Sequence, residues 1–312
     1  MTAAASGTAD EDPERIELEQ AELEQAELEQ AEPERAELER AELERLRAEV
    51  RDLRARSRAH PLISQAQGML QERYALPDAE GAFTLMRQAS QRFNVKMRTL
   101  AGILVTTPRP DGRTALWFPR RVRRPEPALG LLPDDPAGGR SRGAVLGAVL
   151  DRTLAVVGTG MGNVQTVDRV RGGLRIERHT GLTQDFVDFF EHVGEAGTAC
   201  AKAARDLAQV TVRDVASDPV FTEPARAAIL AAGSEACHSV PLTSAPGLCA
   251  GIVSAHVDHP LPELRPSQLQ TLDALGAEAG RWLAWHERTV LLDALEYLHA
   301  LGRVRGARRP GR

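Results

Sequence analysis

Residues 106 to 142 contain seven prolines, with glycines and clustered arginines among them, in stretches such as TTPRPDGR and PRRVRRPEPALGLLPDDPAGGRSR. Proline lacks a backbone donor and fixes its own φ, so no regular helix or inner strand runs through such a block. The chain is thereby cut in two: residues before 106 and residues after 142 must each build their own elements. At 312 residues there is room for two ordinary domains and further segments. The block itself reads as a linker. Arg120, Arg121, Arg123 and Arg124 within it either extend a phosphate-binding footprint or keep a tether soluble, and the proline density favours the tether.

Charge divides the first half again. Residues 11–50 hold sixteen acids and five bases, whereas residues 51–124 hold fifteen bases and five acids. An acidic arm thus precedes a basic region, the asymmetry expected where a nucleic acid is a partner. Cys200, Cys237 and Cys249 show no paired spacing, which argues for a reducing compartment and against a zinc site. The first residues lack a basic-then-apolar signal pattern, and no apolar run is long enough to span a bilayer. The expectation is a cytoplasmic protein with no membrane partner.

The acidic arm, 1–42, repeats a five-residue unit seen as LEQAE and LERAE. Its residues are strong helix formers. A five-residue step turns successive leucines by about 140° around a helix, so Leu18, Leu23, Leu28 and Leu38 cannot form one seam. At Leu43 the spacing changes: Leu43, Leu46, Val50 and Leu53 follow an a/d pattern, a short coiled-coil seam or a face packed on the same chain.

Three helices fit residues 60–105. In ISQAQGMLQERY, Ile63, Ala66, Met69, Leu70 and Tyr74 recur at helical spacing, with Gly68 against the grain of the pattern. The second helix follows Pro77, read as its first-turn proline, with Phe83, Met86 and Ser90 on one face and Leu85 and Ala89 on the next. Asn94 is read as the cap of the third, which carries Met97, Leu100, Ile103 and Leu104. The polar side bears Arg73, Arg87, Arg92, Lys96 and Arg98, with Gln67 and Ser90 between them. Cations of this reach suit phosphates, and amides and hydroxyls suit base edges or ribose.

These three blocks, ISQAQGMLQERY, DAEGAFTLMRQASQRFN and VKMRTLAGILV, in this order and spacing, resemble the ANTAR domain, a three-helix RNA-binding unit of transcription antitermination regulators. The resemblance implies a homodimer that binds nascent RNA with paired stem-loops and keeps a terminator hairpin from forming. Of the candidate RNA-facing residues Gln67, Gly68, Arg73, Arg87, Ser90, Arg92, Lys96 and Arg98, the pattern matches Gly68, Arg87, Ser90 and Lys96, and the others add charge or polarity on the same side. Where the family usually has Ala-Lys-Gly, this chain has Ala66-Gln67-Gly68, without the positive charge. Gly68 is then expected to admit a close neighbour, a helix or an RNA loop.

From Gly143 the sequence alternates helical and strand patterns: AVLGAVLDRTLAVV as a helix, GNVQTVD and GGLRIERH as strands, and LTQDFVDFFEHV as a helix burying Phe186, Phe189 and Phe190. ACHSVPLTS and LCAGIVSAHV follow as paired strands, and a final helix starts near Pro266. The motifs MGNVQ, GLRI, HTGL with DFVDFF, and ACAKA resemble a GAF domain of the actinobacterial type. That resemblance implies a pocket for a small molecule between sheet and helices, or a purely dimerising role. The expected pocket set is Phe186, Phe190, Cys200, Val240 and Leu242 as walls, with Asn163, Gln165 and His179 as polar anchors. Such regulators usually place the sensor before the RNA-binding unit; this chain has the reverse order. No catalytic set is expected, since Cys237 and His238 are adjacent on a strand and would face opposite ways. His179, His192, His238 and His256 form no metal-binding spacing; the resemblance allows a small molecule or a prosthetic group in the pocket and leaves its identity open.

The expected fold class is α+β: an N-terminal coiled-coil helix leading into a three-helix ANTAR-like domain, then a GAF-like domain with an antiparallel sheet flanked by helices. The expected boundaries are 1–42 for the acidic arm, 43–105 for coiled coil and helical domain, 106–142 for the linker, 143–290 for the sheet domain and 291–312 for a basic tail. If the acidic arm competes with RNA for the basic helices, deleting residues 1–40 strengthens RNA binding at low salt; unchanged affinity in a filter-binding titration counts against it.

Overall fold

The computed structural model describes residues 61–111, 114–130, 141–245 and 247–307, and part of a helical segment between 35 and 50. The repeat up to residue 34, Leu53, residues 131–140 and the last five residues lie outside the described ones. The chain divides into two units, Met1–Arg58 and Ala59–Arg312. In the first, Arg45 pairs with Glu42 one turn away at 2.7 Å, and Leu43, Leu46 and Val50 are all exposed.

The second unit opens with a helix over residues 61–73 (α1), followed by α2 (Ala79–Arg92) and α3 (Met97–Thr106). Ala66, Leu70, Leu85, Met86, Ala89, Leu100 and Leu104 are fully buried, the apolar face that the 3.6-residue period marks. Two boundaries differ from the sequence reading. Asp78, not Pro77, starts α2: its carboxylate accepts from the Gly81 N–H at 2.7 Å, satisfying a donor that a proline one residue earlier cannot reach. Asn94 lies beyond the end of α2 in the left-handed conformation (φ 49) that asparagine tolerates, and Lys96 precedes α3.

The sheet region begins with α4 (Arg142–Val157), capped by Ser141 and stopped by Gly158. Strands β1 (Met161–Val167), β2 (Leu174–Thr180), β3 (His192–Val193), β4 (Val210–Val212), β5 (Ala236–Ala245) and β6 (Leu248–Val257) form one sheet in the order β3-β2-β1-β6-β5-β4. Every pairing is antiparallel. Helices α5 (Gln184–Phe189), α6 (Ala199–Asp206) and α7 (Glu223–Ala231) cover one face, where Phe186, Phe190, Val212, Ile229, Cys237 and Ile252 pack. On the other face α4 and α8 (Pro266–His286) enclose Leu146, Val164, Val240, Leu242, Leu272 and Trp282. Gly276 and Gly280, one turn apart on α8, lie directly on the β5 backbone at Pro241 and Thr243, where a Cβ would collide. Phe189 stays exposed, against expectation: it ends the six-residue α5, and only Phe186 and Phe190, four residues apart, share the inward face.

Two segments depart from the sequence reading. The proline-rich block is, over its described residues, a packed strap rather than a free tether. Trp117 enters the helical core, its indole N–H donates to the Pro108 carbonyl at 2.9 Å, and Glu296 accepts from the Trp117 and Phe118 N–H groups. Trp282 and Trp285 donate to the Glu126 carboxylate and the Arg124 carbonyl. Arg121 and Arg123 both pair with Asp293. The expected basic tail is, through Ala307, the helix α9 (Leu292–Ala307), reached from α8 by a single π-helical turn. Ala294, Leu295 and Leu298 are fully buried in one core with α1, α2 and α3. Gly302 lies against the Tyr74 ring, with no room for a Cβ, and Tyr74 Oη is 2.7 Å from His299 Nδ1. Basic residues at the C-terminal end hide this pattern, because the apolar stripe spans only LLDALEYLHAL.

Replacing Leu298 with alanine should therefore destabilise the N-terminal helices, by about 2–5 kcal/mol in urea unfolding. A detached tail would show no change.

Candidate functional site

The expected RNA-facing residues divide into two groups. Arg87 and Arg92 are exposed on α2, the latter with its guanidinium 4.8 Å from the centre of the Tyr297 ring. Gly68 is exposed on α1, and a Cβ there would meet open space. Close packing among the described residues therefore does not account for this glycine. Gln67 donates to the Ala79 carbonyl at 3.3 Å.

The others are engaged within the unit. Arg73 lies 4.7 Å from the centre of the Trp117 ring, with its Nη1 buried and without a partner. Ser90 Oγ donates to the Val95 carbonyl at 2.6 Å. Lys96 pairs with Glu177 of β2 at 2.9 Å, and Arg98 with Asp168 of the β1–β2 turn at 3.6 Å. Asp168 is fixed by its turn, where its carboxylate accepts from the Val170 and Arg171 N–H groups.

Glu177 is the centre of this contact. Its side chain is 1 % exposed and is also approached by Arg142 and Arg175. Burial pushes its carboxyl up, but Arg142, Arg175 and Lys96 together outweigh that and hold it below the usual carboxylate range. A carboxylate this deep stays ionised because its cations surround it.

The expected ligand set also divides. A cavity of about 30 Å³ between the sheet and α5–α7 brings together Asn163, Gln165, Phe186, Phe190 and Cys200. Val240 and Leu242 are not there. They pack beneath α4 and α8, because residues along β5 alternate faces, and Cys237 and Ser239 take the cavity side. His179 is exposed on β2 and lines a different cleft, toward α4. Sequence reasoning missed Thr198, Ser239, Ser254 and His256; the two-residue period counted from Cys237 would have found Ser239.

Hydrogen bonding in the cavity fixes its polarity. Ser234 Oγ donates to the Ala236 carbonyl and thus accepts from His256 Nδ1, 3.0 Å away. His256 Nε2 is then the acceptor for the Asn163 amide nitrogen at 3.4 Å. This leaves Asn163 Oδ1, and likewise Gln165 Oε1, buried without a partner. Cys200 Sγ lies 3.1 Å from Thr198 Oγ1, and burial pushes its thiol pKa up. The cavity thus offers acceptor oxygens and a protonated thiol in a space that fits about one water molecule. On the opposite face of β5, His238 is held by Thr211 and by Gln209. Among the described residues no cluster of three or more His, Cys, Asp or Glu could hold a metal ion, and no helix is long and apolar enough to cross a membrane.

Burial lowers His238, His256 and His286 from the ordinary 6.5 to about 4. The fold keeps these rings neutral, whereas the unfolded chain takes up protons below about 6.5. Their stabilisation is complete above pH 6.5 and lost as pH falls toward 4. Urea midpoints should drop over that window, and His256→Gln should flatten the drop. An equally steep fall in the variant would contradict the assignment.

A family model matches the helical part of the chain. Residues 51–105 match the family model of the ANTAR domain. No curated protein matches the chain. Among solved structures, the GAF domain/HD domain protein from Geobacter sulfurreducens is similar at 17% identity, over 48% of this chain and 97% of that one, with a TM-score of 0.41. The GAF domain of the Acinetobacter phosphoenolpyruvate-protein phosphotransferase is similar at 13% identity, over 46% and 83%, with a TM-score of 0.38. The fold of the sheet region rests on its own strand order and helix layers. The chain thus carries an ANTAR domain at residues 51–105, followed by an antiparallel sheet flanked by helices.

Proposed function

We propose that this protein is a cytoplasmic, homodimeric RNA-binding regulator of transcription antitermination, whose GAF-like sheet domain, of the actinobacterial type, senses a small molecule or governs dimerisation. The observation that carries this reading is the match of residues 51–105 to the ANTAR domain. Exposed Arg87 and Arg92 support it on the RNA side. Exposed Leu43, Leu46 and Val50, an apolar a/d row, support a paired coiled coil. The unpartnered Asn163 and Gln165 oxygens support a ligand that brings hydrogen-bond donors.

The work done is differential binding, with no chemical step. An RNA leader divides between antiterminator and terminator folds, and a protein that holds the paired stem-loops shifts that balance. If the free leader disfavours the antiterminator by about 2 kcal/mol, a binding preference of that size equalises the two. RNA must also draw Lys96 and Arg98 away from Glu177 and Asp168, or bind beside them.

That same pairing favours a second reading, a signalling or scaffold protein that does not bind RNA. Gln67, uncharged and bonded to Ala79, adds to it. Titration of the full chain with a leader bearing two adjacent stem-loops, at several salt concentrations, separates the two. Saturable binding that weakens with salt, and falls about tenfold or more in an Arg87→Ala/Lys96→Ala variant, is expected for the regulator. Absence of binding, with or without residues 1–40, selects the scaffold.

A further inference from the structure

Between the α2–α3 turn and the sheet region lies a cleft of about 680 Å³, within the roughly 300–1,000 Å³ usual for small-molecule sites. It is far larger than the cavity beneath α5–α7 and shares no lining residue with it. Three elements bring cations to it: Lys96 from the start of α3, Arg142 from the first turn of α4, and Arg178 from β2. Among the described residues Glu177 is its only carboxylate, and Arg175 also pairs with that group. His286 lies at the wall as a neutral ring. Positive charge is therefore in surplus.

The existing contacts leave donors for a ligand. Arg142 Nη2 donates to Thr166 Oγ1 at 3.0 Å, and Arg178 Nη1 to the Gly143 carbonyl at 3.0 Å, yet each guanidinium carries five N–H donors. The sixteen-residue α4 begins here, so its positive end adds to the field of the side chains. Two guanidinium forks and one ammonium suit a phosphate, whose several oxygens accept from different directions.

We propose that this cleft binds a small phosphate-bearing anion, with Lys96, Arg142 and Arg178 on its phosphate oxygens. A small ligand is favoured over RNA because walls on both sides, from the helical domain and from the sheet, enclose a space much smaller than a base-paired stem. Such a ligand competes with Glu177 for Lys96, and so acts on the ionic contact that joins α3 to β2. Binding of the anion does not depend on the RNA reading.

Calorimetric titration of the full chain with ADP and with inorganic pyrophosphate tests the site, with adenosine as the uncharged control. Saturable binding of at least one phosphate compound and none of adenosine is expected. Similar affinities for the two identify phosphate alone as the ligand chemistry, and tighter ADP binding identifies a nucleotide; both support the proposal. Arg178→Gln and Lys96→Gln should each weaken binding about tenfold, whereas Arg152→Gln, ten residues along α4 from Arg142, should leave it unchanged. No binding of either compound overturns the proposal, as does equal affinity in Arg178→Gln or an equal loss in Arg152→Gln. Arg87 lies outside the cleft, so Arg87→Ala should retain ADP binding whether or not the chain binds RNA.

Discussion

The insertion of α9 among α1, α2 and α3 is the contact on which the architecture depends. Three short helices enclose too little apolar surface for a secure core of their own. Leu295 and Leu298, both fully buried, supply the missing side, and Trp117 closes the edge. The last described helix thus completes the core of the helices that open this unit. Because α8, the π-helical turn and α9 follow one another without a loop, the helix lying on β5 leads directly into that core. The reversed domain order then poses no problem of connection: the sheet region reaches the ANTAR helices through its own C-terminal helix, not only through the proline-rich strap.

A second contact between the same parts has a different character. Lys96 with Glu177 and Arg98 with Asp168 join α3 to β2 and to the β1–β2 turn by charge. An apolar core excludes water and changes little with solution conditions, whereas an ion pair with an exposed partner, as Lys96 is, can be drawn off by a competing anion. The Glu177 carboxylate itself is buried among three cations, so loss of one still leaves it paired. The molecule therefore combines a fixed attachment at α9 with an adjustable one at Glu177. Lys96 and Arg98, the cations proposed for RNA on this side, belong to the adjustable one.

Much of the fold was legible in the sequence. Helical spacing identified the buried face of α1–α3, and strand patterns found β1, β2, β5 and β6. The errors have local physical causes. Val240 and Leu242 were assigned to the cavity because they are apolar, but the strand's alternation sends them to the opposite face. His179 is in register with Asn163 on the neighbouring strand, yet it lies at the exposed end of β2. The strap was read as a tether because proline forbids regular structure, but irregular backbone can still pack through tryptophan, as at Trp117.

The sequence alone determined most of the helices and strands before α9 and that a basic helical unit precedes an antiparallel sheet, because periodicity and capping are local properties. Only the tertiary structure decided that residues 292–307 return to the first domain. That depends on a fit between α9 and faces more than 180 residues away, including the Gly302 contact with Tyr74. It likewise decided that Lys96 and Arg98 meet carboxylates of the sheet region, since a charged side chain carries no mark in sequence of the partner that folding brings to it.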